Sequence, residues 1–546
     1  MELKKEVFNK LINLIDESKK NKNYEFEVRF LNKNNIIINE ENYNNIFQKF
    51  TFSNKNNGMN YKYEMKNILD IILDKNINED TYGTIRMSIN GINNIKKYWL
   101  EESLDTIDTI DTIDTIDKTF IEKEKIDKID DNNYNLRFSL NNELPQEEML
   151  EKNKNLLLSN NYEKIYRLKN RYSIITDDNL FSIDMTSVKM GIGKSFKDSN
   201  TLKNNFKYEI EIEFIDKNTV IMTDEIVNKL LNHCEIILKL LQNNSNILLN
   251  NTFINNIKKY YNNLVKNTIY DNFIAASPVT LHRENLLNNN SIKNIYNKYA
   301  VTLKVDGERN FLIVYSSNDE NNGKIFIFDS NFNFIDTGYK DEEWIDTLIE
   351  GEYVKDNNGN KELYMYDILF SKGIDVRRKH LIDTNTSHDT RLKLLDNFLK
   401  SPSRKLSYLI NENKCIKLIN KKYLMSIRND GTDIFQKVKD LWDSRKYNNF
   451  NVDGIIFVPK YEYYPLRGGS WWYLFKWKPP HLNTIDFLIK TVKDNNNKNI
   501  RYPYIDIIHR PDGKKEKIIK QYLSIKLFVS GDKMILNQKK KNTSII

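Results

Sequence analysis

Cysteine is nearly absent from this chain: two in 546 residues, Cys234 and Cys415, far apart in sequence. They offer neither a disulfide framework nor a zinc cluster, which favours a reducing compartment. No apolar run reaches the roughly 18 residues that a membrane-spanning helix needs, so no membrane span is expected. The stretch Met1 to Lys22 is charged throughout and does not read as a signal peptide. Neither sign of charge dominates. Lys and Arg number 83 against 75 Asp and Glu, leaving +8. That mild basic excess suits a polyanionic substrate and suits a solvated lysine-rich surface equally well. What is present is a globular composition, 40% hydrophobic and 12% aromatic. The length allows roughly two to four domains, each with its own core.

The most informative stretch is Lys304-Val305-Asp306-Gly307-Glu308-Arg309. Val301, Leu303 and Val305 alternate with polar positions before it, and Phe311, Ile313 and Tyr315 after it. The pattern predicts a strand, a tight turn at Gly307 and a second strand. A strand lysine followed by a turn glycine and an arginine is a layout for covalent nucleotidyl transfer. The amine attacks an α-phosphate, the glycine admits the nucleotide, and the arginine holds its oxygens. These residue types also make an ordinary charged hairpin turn, so the six residues alone do not decide.

Nearer the N-terminus, Leu3, Val7, Leu11, Leu14 and Ile15 predict an amphipathic helix. Tyr24 to Phe30 then alternates strictly, placing Glu25, Glu27 and Arg29 on one face of a strand. Tyr208 to Phe214 repeats the pattern with Glu209, Glu211 and Glu213. Such faces are ordinarily solvated, but a divalent cation between them would turn like-charge repulsion into coordination. Between the two lie strand-like segments bearing Arg86, Arg137, Lys169, Arg171 and Asp184. Together they predict a barrel with charge inside and apolar residues outside. The Asp105-Thr106-Ile107 repeat and the charged run after it, 105–131, read as a low-complexity insert between strands. Thr223 to Lys266 reads as helices beside the barrel.

Lys304 to Arg309 resembles motif I of the covalent nucleotidyltransferases, the mRNA guanylyltransferases and ATP-dependent ligases. The later motifs follow in order: Ile349 to Val354 (III), Leu363 to Ile368 (IIIa), Val452 to Phe457 (IV) and Leu474 to Pro479 (V). The resemblance implies that Lys304 is the nucleophile. It also implies that Glu308, Arg309, Glu352, Tyr366, Lys476 and Lys478 bind the nucleotide and that Asp453 serves the divalent metal, Mg²⁺ or Mn²⁺. Tyr366 reads equally as a core tyrosine. The Lys-Trp-Lys-Pro form of motif V and the Asn483 to Phe487 stretch after it favour guanylyltransferase, with GTP as substrate, over ligase.

The segment from Tyr24 to Asp216 resembles the triphosphate tunnel metalloenzymes, specifically the metal-dependent RNA 5′-triphosphatases. On that resemblance Glu25, Glu27, Glu209, Glu211 and Glu213 hold metal, with Glu27 and Glu211 catalytic. Arg86, Arg137, Lys169, Arg171 and Asp184 form the phosphate-binding tunnel. A triphosphatase ahead of a guanylyltransferase is the order of a large-DNA-virus mRNA capping enzyme. The expected fold is α+β, mostly antiparallel β: a tunnel domain over 1–268, a nucleotidyltransferase domain over 269–481, and a partial or minimal OB-fold over 482–546. The expected partners are 5′-triphosphate RNA, GTP, and a separate cap methyltransferase or the transcription machinery. The expected setting is the cytoplasm, or a viral factory or virion. Motif VI has no clear match, the Lys539-Lys540-Lys541 run reads as a solvated tail, and the chain ends before any methyltransferase domain. Either the sequence is a fragment or its lid is minimal. The alternatives are a ligase-like transferase and an RNA-end binding module without turnover.

Overall fold

The computed structural model describes residues 1, 3–33, 36, 38–52, 63–74, 83–101, 118–145, 149, 151–242, 247–266, 273–286, 294–296, 298–356, 359–383, 389–407, 415–425, 433–482, 487–493, 501–509 and 515–528. Its first part is a closed barrel of eight strands: β1 Tyr24–Phe30, β2 Tyr63–Asp74, β3 Gly83–Asn90, β4 Lys118–Asp131, β5 Leu136–Pro145, β6 Lys164–Ile175, β7 Phe181–Gly193 and β8 Lys207–Phe214. They close in the order β1-β5-β4-β3-β2-β6-β7-β8. Period-2 alternation decides which face each residue takes. Phe26 and Val28 of β1 and Ile210 and Ile212 of β8 are buried outside the barrel, in one core with the helices α1 (Lys5–Lys20) and α5 (Thr223–Leu241). Each such side chain contributes about 1.5–3 kcal/mol. The charged residues that alternate with them turn inward.

Two strands differ from the sequence expectation. Lys118–Asp131, expected to belong to the low-complexity insert, is β4, paired with β3 and β5 along its length. Residues 105–117 lie outside the described residues. β2 was not anticipated, because its apolar run Ile68 to Ile72 is interrupted by the buried Asp70. Helix α6 (Asn251–Leu264) also departs from expectation. Ile254, Ile257 and Tyr261 pack into the second domain's core, not against the barrel. The Asn250 side chain caps it, accepting from the Phe253 amide.

The second domain has two sheets. A five-stranded sheet contains β9 (Ala276–Thr280), β10 (Tyr299–Val305), β20 (Val452–Pro459) and β21 (Gly469–Trp477). An eight-stranded sheet contains β11 (Glu308–Val314), β12 (Lys324–Phe328), β13 (Phe334–Lys340), β14 (Thr347–Lys355) and β15 (Lys361–Ser371). The short strands β16 (Ile374–Asp375), β17 (Lys405–Leu406), β18 (Lys417–Asn420) and β19 (Leu424–Met425) add to their edges. The turn at Gly307 joins the two sheets. A Cβ there would lie 2.6 Å from the Tyr353 carbonyl oxygen, so any larger residue would force β14 away.

Beyond residue 482, the segment expected to be OB-like shows two antiparallel pairs among its described residues. Leu488–Thr491 pairs with Ile525–Phe528, and Arg501–His509 with Lys515–Leu523. The Asn483–Asp486 stretch and the Lys539–Lys541 run lie outside the described residues. Among the described residues, no helix is long and apolar enough to cross a membrane.

Candidate active sites

Inside the barrel the carboxylates of β1 and β8 meet: Glu27 lies opposite Glu213, and Arg29 opposite Glu211. Arg29 bridges the two strands, 3.0 Å from Glu27 Oε1 and 3.0 Å from Glu211 Oε1. Glu27 also accepts from Asn141 Nδ2 at 3.0 Å. Burial opposes ionisation of Glu211, but Arg29 and Arg171 more than offset it and hold its carboxyl at about 2. Lys123 of β4 binds Glu25 closely and Glu143 at 3.1 Å. Arg171 holds Asp184 at 2.9 Å, and Lys169 holds Asp70 at 2.5 Å. Arg86 reaches Glu143 at 3.5 Å. Arg137 sits at the mouth, paired to Asp130 at 2.6 Å, and Glu209 pairs with Arg167 at 2.5 Å.

The five glutamates therefore share one lumen but meet arginine and lysine there. Among the described residues no three carboxylates, histidines or cysteines are grouped as a metal cage. The donor chemistry still suits a hard divalent cation. Burial, together with Glu25, Asp184 and Glu143, pushes the Glu213 carboxyl up to about 8, a crowding of negative charge that a cation relieves.

The second site is a cavity of about 300 Å³ between the two sheets of the second domain. Lys304 and Lys476 enter from the five-stranded sheet, and Arg309, Glu350, Glu352 and Tyr366 from the other. Lys304 is paired with Gly454 across β10 and β20, beside a register shift at Val305. A Cβ on Gly454 would fall 2.1 Å from the Trp477 carbonyl oxygen, so glycine lets β21 approach. That approach brings Lys478 in. Asp453 then binds two ammonium groups, Lys304 at 2.9 Å and Lys478 at 2.5 Å. Arg309 Nε lies 3.5 Å from Glu350, which also accepts from the Tyr464 hydroxyl at 2.7 Å.

Of the predicted nucleotide residues, Lys478 stands beside the cavity on Asp453, and Glu308 lies elsewhere. It is exposed and lines a separate cleft with Asp306 and Tyr353. A strand alternates faces, so Glu308 and its neighbour Arg309 cannot both point into the cavity.

Two family models match the chain. The family model described as mRNA capping enzyme, catalytic domain, matches residues 235–480. The model described as mRNA capping enzyme, beta chain, matches residues 106–253. The chain belongs to the mRNA capping enzymes. A probable mRNA-capping enzyme of Acanthamoeba polyphaga mimivirus is 26% identical over 570 residues, covering 95% of this chain and 45% of that protein. The mRNA-capping enzyme subunit alpha of Schizosaccharomyces pombe is 26% identical over 239 residues, 40% of this chain and 54% of its own length. The chain thus spans about half the length of these curated relatives. A solved Mimivirus capping enzyme triphosphatase aligns over 43% of this chain and 99% of its own, at 22% identity and a TM-score of 0.33.

Several residues of this capping-enzyme chain escape a motif reading. In the barrel these are Asp70, Lys123, Glu143 and Arg167, carried on strands without a clean alternation or beside the one singled out. In the cavity, Lys421 is brought in by β18 and the loop after it. Its ammonium lies 4.8 Å over the Tyr366 ring and 4.0 Å from Glu352. Burial lowers its pKa to about 8, with Lys304 and Arg309 adding to the effect against Glu352. Behind the cavity, fully buried Arg391 grips both oxygens of Asp367, at 2.8 and 3.1 Å. Removing the carboxylate would leave a guanidinium without its counter-charge. Asp367→Ala should cost about 3–5 kcal/mol of stability, read as a lower urea midpoint.

Proposed function

We propose that the chain caps RNA 5′ ends in two steps, one in each site. In the barrel, water attacks the γ-phosphorus of a 5′-triphosphate, the bridging P–O bond breaks, and inorganic phosphate leaves a diphosphate end. Arg86, Lys169 and Arg171 are placed to hold the phosphate oxygens. Glu211, kept ionised by Arg29 and Arg171, is suited to holding positive charge and is too weak a base to take a proton at neutral pH. Glu27, Glu211 and Glu213 would hold Mg²⁺ or Mn²⁺, which supplies charge neutralisation to the departing phosphate.

In the cavity, Lys304 Nζ forms a bond to the α-phosphorus of GTP and pyrophosphate departs. The diphosphate RNA end then attacks the same phosphorus and Lys304 leaves, completing the cap. The observation that carries this reading is that Lys304, on the wall of a cation-lined cavity, shares the Asp453 carboxylate with Lys478. Lys304 Nζ is paired with Asp453 at 2.9 Å, and an amine engaged in that pairing has no lone pair to offer phosphorus. Asp453 and Glu352 would hold a divalent cation, which would supply charge neutralisation to the departing pyrophosphate. The nucleotide's own phosphates compete with Asp453 for Lys304 and bring the α-phosphorus to its amine. Arg309, Lys421 and Lys476 face the phosphates and ribose, and Tyr366 offers a ring to the base.

The relatives' names support the reading, as does the pairing of two capping-enzyme family models in one chain. The cytoplasm is the setting we infer. The deciding experiment is incubation with α-labelled GTP and Mg²⁺ or Mn²⁺, then denaturing electrophoresis. A labelled chain supports the reading, while preferential labelling by ATP would establish a ligase-like enzyme instead. Asp453→Ala and Glu352→Ala should each lower adduct formation by at least about 100-fold with the chain still folded. Undiminished labelling in both would remove the role given to them.

A further inference from the structure

Strand β4 carries a feature that neither site accounts for. Between Lys125 and Asp127 its register against β5 shifts, with Ile126 the additional residue. In an unbroken strand, residues three apart face opposite sides. Here the bulge returns Lys128 to the face of Lys125. Lys125 pairs with Asn141 and Lys128 with Ser139, and both of those β5 side chains turn inward to donate to Glu27. Ile129, next along, packs outward against the helical core. Arg29 and Arg137 face each other across β1 and β5 at the same end.

These cations lie along one cavity of about 290 Å³ whose wall runs from Glu27 to Lys128. Like charges placed side by side repel, and among the described residues Asp130 answers both Arg137 and Lys128. At the other end of the lumen Glu25, Glu143 and Glu213 gather, and Lys123 answers the first two. A polyanion is drawn to the first mouth and repelled by the second.

We infer that the RNA chain behind its 5′ phosphates leaves the barrel through the mouth of Lys125, Lys128 and Arg137, which hold its backbone phosphates. The inference rests on the triphosphatase reading of the barrel. The same rim carries the 132–135 turn, where Asn251 of α6 bonds the carbonyls of Asn132 and Asn133. Since α6 packs into the second domain, RNA emerging there leaves on the side of the transferase.

The test uses the full chain, a fluorescent single-stranded RNA with a 5′-diphosphate, and inorganic tripolyphosphate with Mg²⁺ as a ligand that has no RNA behind it. Lys125 and Lys128 are exposed, so reversing them spares the core. The Lys125→Glu/Lys128→Glu double variant should raise the Kd for RNA at least tenfold and leave that for tripolyphosphate within twofold. The Lys125→Gln/Lys128→Gln variant should flatten the dependence of log K on log salt by about 1.4, two phosphate contacts' worth on a single strand. Unchanged RNA affinity in the double variant, or equal loss for both ligands, overturns the inference. Phosphate release from triphosphate RNA separates the two readings. A parent chain that binds RNA through these lysines yet frees no phosphate overturns the triphosphatase reading and leaves the RNA path standing.

Discussion

Lys304→Ala is expected to leave no labelled chain after incubation with α-labelled GTP and divalent metal, a loss on the order of 10⁴-fold or more, as befits deletion of a covalent nucleophile. Geometry makes the position irreplaceable. Lys304 stands on β10 where the register shifts, facing Gly454, with its ammonium on Asp453. Lys476, the other lysine of the five-stranded sheet on the cavity wall, lies on β21, two strands from β10. Lys478 is already committed to Asp453. Lys478 shares that carboxylate with Lys304 but comes from beyond the end of β21, so neither Lys476 nor Lys478 presents its amine from the β10 position. Lys304→Arg is the sharper comparison. It keeps the charge and the Asp453 pairing, so the fold and GTP affinity should persist, but a guanidinium stays protonated and cannot attack. Labelling retained in either variant would place the nucleophile elsewhere. Phosphate release by the barrel should be the same in both variants as in the parent.

The sites were legible in the sequence to unequal degrees, for physical reasons. Strands β1 and β8 alternate without a break, so their inward glutamates could be read directly. The ordered motifs singled out Lys304, Arg309, Glu352 and Lys476, which the fold brings to one cavity, and Lys478, which it sets beside them on Asp453. β4 was hidden because its inward and outward faces are both charged and a bulge breaks its period, which made it look like a continuation of the Asp-Thr-Ile repeat. β2 was hidden because Asp70, buried against Lys169, interrupts an apolar run. That Glu308 faces away from the cavity was not legible, because a motif lists neighbours without saying which face each takes. The long-range partners left no local trace at all. Tyr464 and Glu350 are 114 residues apart, and Lys421 reaches Tyr366 only through the pairing of β18 with β15.

Glu27→Ala and Glu211→Ala are each expected to abolish phosphate release from triphosphate RNA, by at least about 100-fold, while leaving the GMP adduct at Lys304 intact. A glutamate on a solvated outer face would change stability by under about 0.5 kcal/mol and leave the rate alone. These two are not of that kind. Glu27 is buried in the lumen and receives Arg29, Asn141 and Ser139, while Glu211 receives Arg29 and Arg171. Their loss also leaves Arg29 short of counter-charge, so part of any effect could come from a loosened barrel. Glu27→Gln separates the two contributions. The amide keeps an acceptor for Asn141 and fills the same volume, but it cannot carry the negative charge that a cation or a phosphate-bound arginine needs. A folded Glu27→Gln chain, with the parent's thermal midpoint and full GMP labelling but no phosphate release, assigns the loss to chemistry in the lumen. Phosphate release at the parent rate in both Glu27→Ala and Glu211→Ala would mean that the barrel's charges serve only its own stability.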